Sequence, residues 1–228
     1  MMIEVRSVSH WFGDRPILKD INLNLAQQRI GIIGSNGSGK SSFARLLNGL
    51  LIPDRGKVLV DGLDTRQQAK AIRRKVGFVF QNPDHQIVFP IVEEDLAFGL
   101  KPLRLSKAEV SARVHQILEC YHLTHLRQAA THTLSGGEKQ LLAIAATLIR
   151  HPQWIIFDEP TTLLDLRNRN RIRRVLQDLQ QPIIVVSHDL PLLEDFDRIL
   201  VFEAGQVVMD DCPAIALSFY EREMGRGE

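Results

Sequence analysis

The fold of this chain is decided by the stretch Ile30-Gly31-Ile32-Ile33-Gly34-Ser35-Asn36-Gly37-Ser38-Gly39-Lys40-Ser41-Ser42. Its apolar beginning predicts a buried strand, and the helical spacing of the apolar residues after Lys40 predicts a helix to about Leu50. The turn between them matches the pattern G-x-x-x-x-G-K-[ST], whose backbone N–H groups curl around an anion at the positive end of a helix. The stretch therefore predicts a phosphate-binding loop, and a glycine-rich turn without a ligand is the alternative.

The residues that close this loop indicate which phosphates it would hold. Lys40 would reach the β and γ phosphates of a nucleotide, and the Ser41 hydroxyl would ligate Mg²⁺. The residues expected to contact the nucleotide are Gly34, Ser35, Asn36, Gly37, Ser38, Gly39, Lys40, Ser41 and Ser42. ATP with Mg²⁺ is therefore the ligand that we expect.

A second apolar run, residues 154–157, ends in the two carboxylates Asp158 and Glu159. A strand of this kind would lie beside the strand of the loop and bring Asp158 to the Mg²⁺ shell. Glu159 would then face the γ-phosphate, where a carboxylate base polarises water. The alternative is a strand end with two surface acids. The presence of a phosphate-binding loop in the same chain makes this alternative less favoured.

A predicted helix that runs to about Ile149 opens with the string Leu134-Ser135-Gly136-Gly137-Glu138-Lys139-Gln140. Ser135 is a good N-cap, and Glu138 follows three residues later, as in a capping box. The two glycines expose backbone N–H groups at the positive helix end, which predicts a second anion site. An ordinary capping box is the alternative. With a second anion site the chain would carry two anion-binding helix ends, although a single γ-phosphate needs only one of them.

Composition excludes several classes of protein. The chain has 228 residues, 44% of them hydrophobic and 24% charged, and 28 Lys and Arg against 27 Asp and Glu give a net charge of +1. No apolar run approaches the roughly 18–20 residues that cross a bilayer, and the N-terminus lacks the apolar core of a signal peptide. We therefore expect a cytoplasmic protein. It lacks the overall excess of basic residues that is typical of nucleic-acid-binding proteins.

A run of arginines and the two cysteines do not indicate a binding site. A basic run contains Arg167, Arg169, Arg171, Arg173 and Arg174. At helical pitch these arginines spread over more than one face, which favours a solvated helix over a nucleic-acid groove. Cys120 and Cys212 form no CxxC pair, which argues against a disulfide scaffold or a Cys-based zinc site.

Together these strings resemble the nucleotide-binding domain of ABC-type ATPases, in the family order and over nearly the whole chain. The resemblance implies an α/β fold: a P-loop NTPase core with a mixed or parallel sheet, an N-terminal antiparallel β subdomain and an inserted α-helical subdomain. The core would occupy about 1–81 and 151–228, and the helical subdomain about 82–150, within one domain over 1–228. The resemblance also implies a head-to-tail dimer that closes over ATP. The residues expected to close on the ATP of the other subunit are Ser135, Gly136, Gly137, Glu138 and Asp165.

The same resemblance implies roles for three more residues. Phe12 matches the aromatic that stacks on adenine, with Trp11 as the competing choice and a core aromatic as the alternative. Gln81 matches the Q-loop glutamine, which would contact Mg²⁺ or the attacking water. His188 matches the switch histidine, which would contact the γ-phosphate.

The turn before Asp165 departs from the family pattern. Small residues are common there, whereas this chain has Thr161-Thr162-Leu163-Leu164. Bulkier side chains at Leu163 and Leu164 would alter how the two subunits communicate.

A more specific resemblance starts at Gln81-Asn82-Pro83-Asp84-His85-Gln86, which is similar to the Q-x-P-D-x-Q stretch of energy-coupling-factor ATPases. These drive vitamin and transition-metal uptake in prokaryotes. The resemblance implies a peripheral ATPase at the cytoplasmic face of the cell membrane, as a homodimer or as a heterodimer with a second ATPase. Its partners would be a substrate-binding component (S) and an integral membrane scaffold (T), whose coupling helices dock in a groove formed by residues 82–89.

The length of the chain favours one substrate over another. The sequence ends about 20 residues after its last predicted hairpin, as in the short ATPase of biotin transport systems. Cobalt or nickel uptake stays open. A soluble ABC ATPase of DNA repair or translation usually carries two cassettes or a long coiled-coil insertion, and this sequence has neither. An exporter subunit would share every ATPase residue and would differ only around residues 81–86.

Overall fold

The computed structural model describes residues 2–162 and 164–225, which form two compact units. The first unit comprises residues 2–76, 153–159 and 180–225. The second unit comprises residues 77–152, 160–162 and 164–179. The helical segment expected at about 82–150 lies inside the second unit, which also includes the helix that follows Asp165.

The strands are, in chain order, β1 (Ile3–Phe12), β2 (Arg15–Leu25), β3 (Arg29–Gly34), β4 (Arg55–Val60), β5 (Leu63–Asp64), β6 (Val76–Val79), β7 (Trp154–Asp158), β8 (Ile183–Val186), β9 (Arg198–Glu203) and β10 (Gln206–Asp211). The helices are α1 (Lys40–Leu47), α2 (Thr65–Lys75), α3 (Val92–Leu100), α4 (Lys107–Cys120), α5 (Gly136–Leu148), α6 (Leu166–Asp178) and α7 (Pro213–Gly225). Strand β6 begins in the first unit and continues into the second.

The first unit contains two different strand arrangements. Strands β2-β1-β4-β5 pair antiparallel in that order, as expected for an N-terminal β subdomain. Strands β9, β3, β8 and β7 are parallel neighbours, and β10 joins β9 antiparallel. The fold class predicted from the sequence is therefore confirmed.

The central strands are parallel and buried, and their ends meet at one edge of the sheet. All residues of β7 and β8 are buried, as are the isoleucines of β3, and strands covered on both faces are typical of parallel sheets. Because β3, β7 and β8 run in the same direction, their carboxyl ends reach the same edge. Gly34 at the end of β3, Glu159 directly after β7 and His188 shortly after β8 therefore lie at the same edge.

The second unit is mainly helical. Helices α4 and α5 both begin with a complete capping box, formed by Ser106 with Glu109 and by Ser135 with Glu138. The box at Ser135 was expected from the sequence. Helix α5 is the most buried helix of this unit, with nine of its residues buried.

Two helices differ from the sequence prediction. Helix α1 ends at Leu47 rather than near Leu50, because Asn48 leaves the helical conformation and Gly49 has a φ of +70°. Helix α2 was not predicted, since its exposed surface is polar and only Thr65 and Ile72 are buried. Among the described residues, no helix combines the length and apolar character needed to span a membrane.

Candidate active site

The loop between β3 and α1 requires glycine at both of its ends. Gly34 has a φ of +146°, and a Cβ at this position would collide with the carbonyl oxygen of Phe202. Gly39 has a φ of +103°, and a Cβ there would lie 2.9 Å from the carbonyl oxygen of Ile17. At Gly37, by contrast, a Cβ would meet no described atom within 4 Å. The loop is therefore confined at both ends and open in the middle.

The open middle of this loop fits a phosphate group. No described side chain caps the N-terminus of α1, and the first N–H groups of a helix have no partner within it. Ser38 Oγ is buried and has no hydrogen-bond partner among the described residues. Lys40 Nζ donates to the carbonyl oxygens of Gly34 and Ser35, both at 2.8 Å. Backbone, hydroxyl and ammonium donors thus converge as a nucleotide phosphate requires.

Lys40 is held in a mostly buried position beside two carboxylates. Burial lowers the pKa of Lys40, and the negative charges of Glu159 and Asp158 partly oppose that shift. A phosphate group in the loop would also raise the pKa of Lys40, because an adjacent anion favours the ammonium form. The position therefore favours binding of an anion by Lys40.

Asp158, the last residue of β7, has only 1% of its surface exposed. Its Oδ1 accepts a hydrogen bond from Ser41 Oγ at 2.8 Å, and its Oδ2 lies 3.6 Å from Arg45 Nη2. Ser41 and Asp158 therefore present neighbouring oxygens of the kind that Mg²⁺ prefers. Arg45 balances part of the charge of the buried carboxylate.

Glu159 follows Asp158 with an unusual backbone conformation. Its φ is +54°, in the left-handed region, and its side chain is almost fully buried. The Oε2 atom accepts a hydrogen bond from the His188 N–H at 3.3 Å, and Oε1 lies 3.2 Å from His188 Nε2. The structure thus brings together the predicted base and the predicted histidine at one edge of the sheet.

Phe12 and Trp11 occupy different environments at the end of β1. Phe12 is 82% exposed, so the alternative of a core aromatic is wrong. Trp11 is half-buried, and the Arg55 guanidinium lies 5.4 Å from the centre of its ring. The Trp11 N–H also donates to Asp54 Oδ2 at 2.8 Å, which lowers the pKa of that carboxyl. Of these two residues, only Phe12 presents an exposed ring.

Ser135 and Glu138 form the N-terminal cap of α5 in the second unit. Glu138 Oε2 accepts from the Ser135 N–H at 2.8 Å and from Ser135 Oγ at 2.7 Å. The same hydrogen bonds hold the pKa of Glu138 below its ordinary value. The capping box is therefore present. A Cβ at Gly136 would meet no described atom within 4 Å, so this helix end also has an open side.

The first turns of α5 and α6 are in close contact within the second unit. A Cβ at Gly137 would collide with the side-chain amide of Asn168. Asp165 caps α6 by accepting from the Asn168 N–H at 2.8 Å. Leu164 directly precedes this cap in the chain. Leu163, for which we also predicted an effect on communication between subunits, lies outside the described residues.

The segment after β6 is fixed to α5 by polar contacts. Gln81 is exposed, and Asn82 caps a short 3-10 helix over Pro83–His85 by accepting from the Asp84 N–H at 2.9 Å. The Asp84 carboxylate lies 2.7 Å from the Lys139 ammonium, one turn into α5. The segment therefore has a defined position on the signature helix, as we call α5 from here on.

Gln86 is the central anchor of this segment. Its Nε2 donates to the Ala143 carbonyl at 2.6 Å and to Thr147 Oγ1 at 2.9 Å, both on the signature helix. Its Oε1 accepts from the Phe80 N–H at 3.3 Å. The second glutamine of the Q-x-P-D-x-Q stretch therefore ties the end of β6 to the signature helix.

Sequence reasoning did not identify Arg45 or Asn168. Arg45 lies four residues after Ser41, so helical spacing alone would have placed both on the face of α1 that meets Asp158. Asn168 gave no comparable signal, because its role depends on how α6 packs against Gly137.

Comparison with known proteins identifies the family. Residues 18–162 match the family described as ABC transporter, which is more than half of the chain. The chain belongs to this family and is an ABC-type ATPase. A solved structure of cbiO1 from Clostridium perfringens, described as part of the ABC transporter complex cbiONQ, matches with a TM-score of 0.83 and 32% identity. The match covers 98% of this chain and 92% of that one.

Individual relatives narrow the assignment within the family. The chain is 62% identical to an ABC transporter ATP-binding protein of Deinococcus radiodurans, over 98% of this chain and 99% of the relative. It is 44% identical to the biotin transport ATP-binding protein BioM of Rhizobium etli, over 96% and 98%. It is 39% identical to the energy-coupling factor transporter ATP-binding protein EcfA of Syntrophomonas wolfei, over 90% and 79%. The chain thus falls in the energy-coupling-factor branch, as the stretch at Gln81 predicted.

Proposed function

We propose that this chain is the ATP-hydrolysing peripheral subunit of a prokaryotic energy-coupling-factor importer at the cytoplasmic face of the cell membrane. It drives uptake of a vitamin, with biotin favoured, through membrane partners. The observation that carries the proposal is the cluster of Lys40, Ser41, Asp158 and Glu159 at one edge of the parallel sheet. These are an ammonium, a hydroxyl and two carboxylates in the arrangement that phosphoryl transfer to water requires.

The phosphate-binding loop and Phe12 hold the nucleotide in this proposal. Residues 34–42 bind the phosphates, and Phe12 stacks on the adenine. When the nucleotide binds, Lys40 Nζ donates to phosphate oxygens instead of the carbonyl oxygens of Gly34 and Ser35. The negative phosphate favours the charged form of Lys40. Ser41 and Asp158 would hold Mg²⁺, which when bound neutralises phosphate charge and orients the γ-phosphate.

Glu159 acts as the base in this proposal. Its carboxylate accepts a proton from water as the water oxygen attacks the γ-phosphorus and the bond to the ADP oxygen breaks. His188, whose Nε2 lies 3.2 Å from Oε1, orients the carboxylate and contacts the γ-phosphate. Both residues belong to the first unit.

The cap of the signature helix serves the nucleotide of a second copy. The residues that contact it are Ser135, Gly136, Gly137, Glu138 and Asp165. The open side at Gly136 and the positive end of the signature helix support this assignment. Because one chain carries both halves of a site, a homodimer would hold two complete sites, and a heterodimer with a second ATPase is the alternative.

The segment 82–89 forms the docking surface for the membrane scaffold. Val88 is 67% exposed, and Phe98 is partly exposed against Phe89, with ring centres 4.9 Å apart. Asp95 is buried and accepts from the N–H groups of Val88 and Phe89 at 2.7 and 2.9 Å. A firmly held loop with apolar side chains facing outward suits a short amphipathic helix of a partner.

Biotin is favoured as the substrate by likeness to one relative. The biotin transport ATP-binding protein of Rhizobium etli is covered over 98% of its length, so the two chains have nearly the same extent. Cobalt or nickel is the alternative cargo within the same branch. The substrate-binding component, rather than this subunit, would contact either one.

An uptake assay tests the proposal. Cells that express the chain with its membrane partners are given labelled biotin or labelled cobalt, and Glu159→Gln provides the control without ATP hydrolysis. We expect uptake of biotin that Glu159→Gln abolishes. Uptake of cobalt alone would reject biotin and keep the importer. Uptake of neither, with ATP hydrolysis intact, would reject this importer assignment.

A further inference from the structure

The second unit contains a cavity of about 1020 Å³. It is bounded by the end of α4, the first turns of the signature helix and the length of α6. Helix α6 has 13 residues and is therefore about 20 Å long. The cavity follows it from Asp165 to Leu179 and so extends well beyond the cap at Ser135.

The basic run of α6 has one face in this cavity. Arg167, Arg171 and Arg174 line it, and they are spaced at i, i+4 and i+7, which places them on one side of a helix. Arg169 and Arg173 do not line it. The basic run is therefore divided, since Arg167, Arg171 and Arg174 share the side of α6 that lines the cavity.

Two of these arginines have no counter-ion in the part of the chain that the structure describes. Arg171 Nη2 donates to the Tyr121 carbonyl oxygen at 2.6 Å, which joins α6 to the end of α4. Arg167 and Arg174 form no ion pair with any residue that the structure describes. They are seven residues apart, so their Cα atoms are separated by about 10 Å along the helix axis.

The three carboxylates that line the cavity have contacts other than with Arg167 and Arg174. Glu138 is engaged by Ser135, and Asp165 accepts from the Asn168 N–H. Asp178 likewise has an interaction of its own. The cavity is therefore lined by two exposed guanidinium groups on one side of α6, and the planar guanidinium fork matches the oxygens of a phosphate group.

We propose that this cavity binds a small organic anion with two phosphate groups, one at Arg167 and the other at Arg174. Its volume is in the range of sites for small molecules, which run to roughly 1000 Å³. Ser135 and Asp165 stand at one end of the cavity, so a bound anion would change ATP turnover. That consequence rests on the proposed function, whereas the binding itself does not.

Cys120 provides a local probe of the cavity. It is exposed and lines the cavity, and Cys212 is the only other cysteine of the sequence. In a Cys212→Ser chain, the uncharged reagent N-ethylmaleimide therefore reports on Cys120 alone. Lys40→Ala is added to weaken phosphate binding at the loop of the ATP site.

Fructose 1,6-bisphosphate serves as the ligand and fructose 6-phosphate as the control with one phosphate. We expect the bisphosphate to slow labelling of Cys120 at lower concentrations than the monophosphate does. Arg167→Ala and Arg174→Ala should each raise the half-protecting concentration roughly tenfold, because each removes a charge-assisted contact. Arg169→Ala, on the same helix but outside the cavity, should leave protection unchanged.

Two results would overturn the site. One is an unchanged labelling rate at millimolar bisphosphate, and the other is equal protection of the variant that lacks both arginines. Turnover is then measured in the Cys212→Ser chain that keeps Lys40. No effect of the bisphosphate on turnover, with Cys120 still protected, would overturn only the link to ATP hydrolysis. A chain that does not hydrolyse ATP at all would contradict the proposed function and leave the cavity result standing.

Discussion

Glu159 combines a buried carboxylate with a left-handed backbone at the end of β7. An L-residue in this region costs about 1–2 kcal/mol, and such a conformation persists only where the surroundings fix it. Here the Glu159 N–H donates to the Val186 carbonyl, and the His188 N–H binds the carboxylate. The strained residue therefore points its carboxylate at the edge where the phosphate-binding loop lies.

Replacing Glu159 by Gln should separate binding from chemistry. The amide keeps the shape of the side chain but accepts no proton, so ATP binding should persist while turnover falls by about 10²–10⁴-fold. Lys40→Ala is the contrasting variant, because it should weaken ATP binding itself. Both are measured by fluorescent-nucleotide titration and phosphate release. Hydrolysis by Glu159→Gln at the wild-type rate would show that Glu159 is not the base.

At the scale of elements, Gln86 should control the stability of the second unit. Gln86→Ala removes both bonds to the signature helix and leaves the Phe80 N–H without its acceptor. The free energy of unfolding should fall by roughly 1–3 kcal/mol, as expected when partly buried partners are left unsatisfied. Urea unfolding measures the change, with Gln81→Ala, an exposed glutamine, as control. Equal stability of the two variants would contradict the anchoring role.

The cap of the signature helix should lose strength in acid. Hydrogen bonds from Ser135 lower the pKa of Glu138 in the folded chain, so its stabilisation is complete at neutral pH. It is lost as the pH falls below the ordinary glutamate range and through the lowered pKa. The stability difference between wild type and Glu138→Gln should therefore shrink in acid. Glu221→Gln, an exposed glutamate on α7, is the control, and a pH-independent difference at Glu138 would contradict the argument.

The elements that the sequence predicts well are those with a strong local signal. The apolar runs of β3 and β7 and the capping box at Ser135 are examples, because burial and capping both leave a pattern in adjacent residues. Helix α2 was missed because it has almost no apolar face, although Asp64 at its N-cap and three basic residues in its last turn are helix signals. Contacts such as Gly137 with Asn168 depend on packing between helices, which no local pattern encodes.

For the whole molecule, ATP should drive dimer formation when hydrolysis is blocked. A chain that carries both Lys40 and the Ser135 cap supplies the two halves of each site, so Glu159→Gln with ATP should accumulate as a dimer. Light scattering measures the mass, and Lys40→Ala with ATP is the control that stays monomeric. Monomers of Glu159→Gln at every ATP concentration would argue against the sandwich.

Coupling to the membrane should depend on the exposed apolar residue of the docking segment. Val88→Asp places a charge where the scaffold helix would pack, so transport by the complex should fail while the isolated subunit keeps its ATPase activity. Val208→Asp, at an exposed valine on β10, is the matched control and should preserve both. Loss of ATP hydrolysis in isolated Val88→Asp would instead assign the segment to catalysis.

The tight contact of Gly137 with Asn168 restricts how this sequence can evolve. A Cβ at position 137 would push the side-chain amide of Asn168 out of its place. We therefore expect a larger residue at position 137 to be tolerated best where residue 168 is small or turns its side chain away.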